Sequence, residues 1–274
     1  MNSSYVEKVI TAPVSRADTV LNLSATFWFV IAVLGQWIFV YYIAVVYGGA
    51  ILQGEAEVWS DTTLKGYVPS DVAGNVIFGL HVAMAIIISF GGTLQLVPQI
   101  RKHVISFHRW NGRLFIFTAF MISLGGLYLV WVRESTTTMI GSLGISLNAV
   151  LIMIFAALAI QRARTGNIVS HRKWALRTFI VANGVWFFRV GLMAWYIINQ
   201  GPAGSTEKLD GPFDMVWAFA NFLLPLILLE LYFLAQSTSD GLRKTAVAII
   251  ILISTIVMAI GIFGATMFMW SPNF

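Results

Sequence analysis

The sequence predicts an all-α polytopic membrane protein of about seven transmembrane helices, and three observations carry that reading. The chain is 58% hydrophobic and only 11% charged, where soluble domains carry roughly 25% charged residues. Its apolar residues fall in runs long enough to cross a bilayer, which takes about 20 residues each. Its basic residues gather in alternate loops between those runs. The net charge of +5 therefore reflects membrane orientation rather than nucleic-acid binding, and lipid is the expected surrounding. With no cysteine, disulfides and thiolate metal sites are excluded.

The first 23 residues form a polar tail with Pro13 and Arg16, lacking the pattern of a signal peptide. The first span is expected at 24–48 and would serve as the insertion signal. The others are expected at 74–98, 111–132, 139–160, 173–198, 213–235 and 245–270, and 1–274 form a single transmembrane domain. Lys8, Arg16, Arg101, Lys102, Arg109, Arg113, Arg162, Arg164, Arg172, Lys173, Arg177, Arg243 and Lys244 then share one side, which is 13 of the 17 Lys and Arg. Lys65, Arg133 and Lys208 lie opposite with most acidic residues, and Arg189 falls within a span. The positive-inside rule places the basic side, with the amino terminus, in the cytoplasm and the carboxy terminus outside. Outer loops one and five are long enough to cover an outer site or to serve as plain connectors. Trp59, Trp110, Trp131 and Trp270 fall near span ends and are expected as interfacial anchors.

The loop after span two reads Gln99 to His108-Arg109-Trp110-Asn111-Gly112-Arg113-Leu114-Phe115. The loop after span four reads Gln161 to His171-Arg172-Lys173-Trp174-Ala175-Leu176-Arg177-Thr178-Phe179. Spans two to five (74–198) thus read as a duplicated helical hairpin, a four-helix core of parallel repeats. Spans six and seven (213–270) offer a weaker third copy.

Two candidate sites follow. At the inner face, His108 and His171 open helices beside Arg109, Arg113, Arg172 and Arg177. Paired imidazoles across a bundle are a haem-ligating arrangement. The arginines suit propionates, and Gly112 and Ala175, one turn on, would leave room for a macrocycle. Topological roles and an anionic headgroup site are the competing readings. Glu230 is a carboxylate inside span six at the same level, and the Arg113/Arg177 cluster is its expected partner. In the outer half, His81, Arg189 and Asn148 form a polar triplet, read either as a ligand or proton-handling site or as a structural network. Gln36 and Gln95 are weaker polar members, with interhelical hydrogen bonding as the plain alternative. Pro225 is the one visible helix breaker.

His81, the Gln99…His108-Arg109…Gly112-Arg113 turn and the His171-Arg172…Arg177 turn together resemble a bacterial family of predicted membrane proteins with a domain of unknown function, number 2306, over about residues 75–235. That resemblance implies a cell membrane, the bacterial inner membrane, and no activity. A more distant likeness is to the haem b proteins of the cytochrome b561 and ferric reductase type, in which four consecutive helices carry two His pairs. It implies His108 and His171 as one pair, a haem b cofactor and a quinone-linked redox role. His81 would supply half of the other pair, but span four has no His, only Asn148 and Met153 nearby. A transporter or small-ligand receptor using Arg189 and His81, and an accessory subunit of a membrane complex, are the alternative functions.

Overall fold

The computed structural model describes residues 15–63 and 65–273; Lys8 and most of the expected tail lie outside them. Among the described residues there is no strand. Seven apolar helical segments succeed one another, one of them broken. They are α1 (Arg16–Gln53), α2 (Val72–Leu96), α3 (Ile105–Trp131), α4 (Met139–Arg164), α5 (Ile168–Ala182) with α6 (Gly184–Ile198), α7 (Pro212–Ser237) and α8 (Gly241–Asn273). The chain is a multi-pass, all-α membrane protein.

The helix starts follow from local chemistry. The first N–H groups of a helix lack intrahelical partners, and a short polar side chain supplies one. Ser15 and Asp18 form a reciprocal capping box at α1, so residues 16–23 are helix rather than irregular tail. Asp71, Thr138, Asn167 and Asp240 accept from backbone N–H groups at the starts of α2, α4, α5 and α8. Pro98 forces Val97 into extended backbone and ends α2. Gly166 turns the chain between α4 and α5 at φ +72°, a left-handed conformation that suits glycine.

Small residues set the packing, as lipid-embedded helices require. A Cβ on Gly261 of α8 would lie 2.1 Å from the Val190 carbonyl oxygen of α6, and one on Gly144 of α4 would lie 2.5 Å from that of Ala218 on α7. α8 also packs along α1, and α4 packs against both α3 and α5. The Lys244 ammonium bonds the Asp18 carboxylate, tying the basic ends of α8 and α1 together.

Span five departs from the expected continuous helix. α5 and α6 meet at Asn183 with a 57° bend. The Asn183 side chain donates to the Phe179 carbonyl at 2.8 Å, and the Asn183 backbone carbonyl accepts from Trp186 and Phe187 N–H, both at 3.0 Å. A side chain inserted into the backbone ladder in this way kinks a helix. Pro225, by contrast, lies inside α7, which runs unbroken from Pro212 to Ser237. Two of the expected interfacial tryptophans are core residues instead: Trp59 is 5% and Trp270 1% exposed. Both pack into an aromatic cluster with Phe39, Tyr42, Tyr47 and Phe78.

Candidate functional site

At the basic end, the two His-Arg turns converge. The matched phenylalanines of the two hairpins meet the same glycine. A Cβ on Gly92 of α2 would lie 2.8 Å from Phe115 and 3.1 Å from Phe179.

The two histidines have different surroundings. His171 Nδ1 lies 2.9 Å from the Ala159 carbonyl oxygen. A carbonyl only accepts, so Nδ1 carries a proton and donates it. His108 Nε2 is 3.4 Å from the Gln95 amide nitrogen, which also donates to the His108 carbonyl at 3.0 Å. The buried Nδ1 of His108 has no partner. Asn111 holds Gln95 in place, donating to its Oε1 at 3.0 Å and to the Gly91 carbonyl at 2.7 Å.

Gln95 also lies against Gly112. A Cβ on Gly112 would lie 2.7 Å from Gln95 Nε2. The space expected beside Gly112 is therefore taken by the Gln95 amide. A groove of about 480 Å³ does open at the basic end between α3 and α4, but Phe120, Ala157, Ile160, Gln161, Arg164 and Thr165 line it, not the histidines.

Glu230 has the partner expected in kind. Arg177 Nε and Nη2 reach its two oxygens at 2.6 and 2.7 Å, a two-pronged charge-assisted pair. The Arg177 guanidinium also stacks on Trp174 at 4.5 Å and Phe233 at 5.3 Å. Arg113 does not join it and lies over Trp110 at 5.2 Å. Arg109 and Arg172 are exposed.

The outer triplet is not one site; its members sit at three interfaces with no hydrogen bond among them. His81 lies over the Gly125–Gly126 pair of α3, its Nδ1 buried and unpartnered. Asn148 faces the start of α6, where a Cβ on Gly184 would lie 2.6 Å from its Nδ2 and 3.5 Å from Asn221 Oδ1. Arg189 donates to the Val185 carbonyl at 3.3 Å and lies 5.6 Å from the centre of the Phe39 ring.

A polar layer forms instead around the break. Ser89 of α2 reaches the Asn183 side chain at 3.4 Å, and Asn148 of α4 and Asn221 of α7 close on Gly184. Asn148 Oδ1 is buried without a partner. Asn183 divides span five into two runs of 15 residues, which puts the break near the middle of that span, and Asn148 lies in the outer half of α4, nearer Met139 than Arg164. Sequence reasoning missed Asn183, Asn221 and Ser89, although an Asn-Gly pair inside an apolar run is a turn signal. It also missed Arg133, read as a loop charge. That residue is 6% exposed and binds the Gly74 carbonyl, Asn75 Oδ1 and Asp71.

Residues 78–209 match the family model described as Predicted membrane protein (DUF2306). That stretch is similar to this family. It takes in most of α2, the two His-Arg turns, the break at Asn183 and the loop after α6; α1, α7 and α8 lie outside it. No curated protein and no solved structure matches the chain.

Proposed function

We propose that this protein binds a small polar solute within the bilayer, as a transporter or receptor, at the interrupted fifth span. The observation that carries this is the break at Asn183, ringed by Ser89, Asn148 and Asn221. Non-helical backbone at membrane depth is tolerated where it is buried in protein or lines a cavity, and discontinuous helices near the midplane are where transporters hold substrates. The asymmetric distribution of basic residues supports a cell-membrane orientation with that end in the cytoplasm. Because the chain has no cysteine, single Asn148→Cys and Asn221→Cys variants report water at this depth. Maleimide reagents should label both in membranes, and labelling should differ between the two faces. If both stay unreactive in folded protein, the polar layer is dry and structural, and the reading fails.

A redox reading has one specific observation in its favour: the Ala159 carbonyl takes the Nδ1 side of His171 and leaves Nε2 for another partner, the orientation that a haem iron needs. Gln95 stands against it for haem b. A reduced-minus-oxidised spectrum of purified protein from haem-replete cells tests this. A b-type band lost in His171→Ala would establish it; a colourless protein would end the haem reading.

A further inference from the structure

α1, α6 and α8 meet around Phe39, about a turn and a half beyond the break. Phe39 touches Arg189 of α6 and, at 5.4 Å, the Trp270 ring of α8. One turn earlier on the same face of α1 is Gln36, fully buried, with neither amide atom hydrogen-bonded. Beside it, a Cβ on Gly35 would lie 2.8 Å from the Trp186 indole. Trp186 and Trp270 are 0% and 1% exposed, and neither indole N–H has a partner. Trp186 and Arg189, three residues apart, share a face of α6. Arg189 has no carboxylate in ion-pair reach among the described residues.

Buried polar groups without partners cost free energy, and more so in lipid, where water cannot substitute. Most such groups in folded proteins are satisfied. Here three N–H donors (the Gln36 amide and two indoles) and an unpaired guanidinium gather within about a turn of α1. Donors outnumber acceptors, so the missing partner is an acceptor and carries negative charge. The ring faces of Phe39, Tyr42 and Trp270 stack around the cluster, which suits an organic body better than a hydrated inorganic ion. A guanidinium fork matches a planar carboxylate. Two π-helical turns flank the cluster, at Ala44–Gly48 of α1 and at Thr266–Trp270 of α8. Such turns are frequent at functional sites.

We propose that this cluster is an occluded binding site for a small organic carboxylate, with Arg189 as its charge partner and the Gln36 amide and two indole N–H groups as its further donors. The proposal rests on the solute-binding reading for its route of entry, and it names the ligand class. Entry requires α1 to part from α6 and α8.

The test is a titration of detergent-purified protein with sodium benzoate, read by thermal unfolding, with sodium chloride at matched ionic strength as the control. Benzoate should raise Tm saturably, and Arg189→Gln should weaken its binding by about a hundredfold, charge-paired hydrogen bonds being the strong ones. Gln36→Leu removes the orphaned amide; it should raise the Tm of ligand-free protein while weakening benzoate. That second variant keeps the test decisive if Arg189→Gln fails to fold. No benzoate-specific shift in the wild type, or an equal shift in Arg189→Gln, would overturn the site. Cysteine labelling at Asn148 and Asn221 is scored apart: unreactive cysteines with Arg189-dependent benzoate binding would remove the path and leave the carboxylate site standing.

Discussion

Replacing Arg133 by Met tests the account of the acidic end most directly. Arg133 sits just past the end of α3, and its guanidinium lies within the protein. It donates to the Gly74 carbonyl and at 2.6 Å to Asn75 Oδ1, lies 3.5 Å from Asp71, and covers the Phe78 ring at 5.8 Å. Methionine keeps the apolar stem and removes every donor. Each hydrogen bond to a charged group is worth about 1.5–3 kcal/mol. Two offsets reduce the sum: the Asp71 side chain is 34% exposed and can rehydrate, and Asn75 keeps its bonds to the Val68 backbone. A net loss of about 3 kcal/mol remains, at the low end for breaking a buried charged pair. For a chain of this size that is a fall in Tm of about 6–12 °C. Tryptophan fluorescence during thermal unfolding in detergent measures it. Arg133→Lys should fall between, since one ammonium cannot span the three partners. A shift under about 2 °C for Arg133→Met would refute the view that this arginine holds the outer loop to α2 and α3.

Other expectations follow from the same kind of argument. Gly261→Leu should destabilise by at least about 3 kcal/mol, because backbone of α6 rather than a movable side chain occupies the space; a melting curve reads it directly. Glu230→Gln should cost only about 1 kcal/mol, because its side chain is 41% exposed and the Arg177 stack on Trp174 survives. The double variant with Arg177→Met should show coupling in a thermodynamic cycle, and strict additivity would mean that the pair contributes nothing. Asn183→Leu orphans the Phe179 carbonyl and should either lower Tm by several degrees or straighten span five. Spin-label distances across the break distinguish these outcomes, and an unchanged Tm with an unchanged bend would show that the side chain does not maintain the kink.

The membrane class and the order of the spans were legible because they depend on local quantities. Apolar length answers to bilayer thickness, whereas the caps, such as Ser15 with Asp18 inside the expected tail, were not read. Glu230 was legible in kind, since a carboxylate at that depth must find a cation, but the choice of Arg177 over Arg113 depended on which face of each helix turned inward. The two His-Arg turns could be matched by sequence alone. That Gln95 lies across Gly112, however, is a matter of how α2 leans on α3. The outer triplet failed for a related reason. Equal depth was read as proximity, and depth fixes only one of three coordinates.

By itself the sequence determined that this chain is an all-α, multi-pass membrane protein and which end of the bundle is basic, because hydropathy and charge act along the chain axis. Only the tertiary structure decided what each polar residue faces. The rotation of each helix about its own axis is set by small residues such as Gly35, Gly144 and Gly261, which let particular faces approach. That rotation separated His81, Asn148 and Arg189, bent span five at Asn183 rather than Pro225, and brought Gln36, Trp186, Arg189 and Trp270 together from three helices distant in sequence.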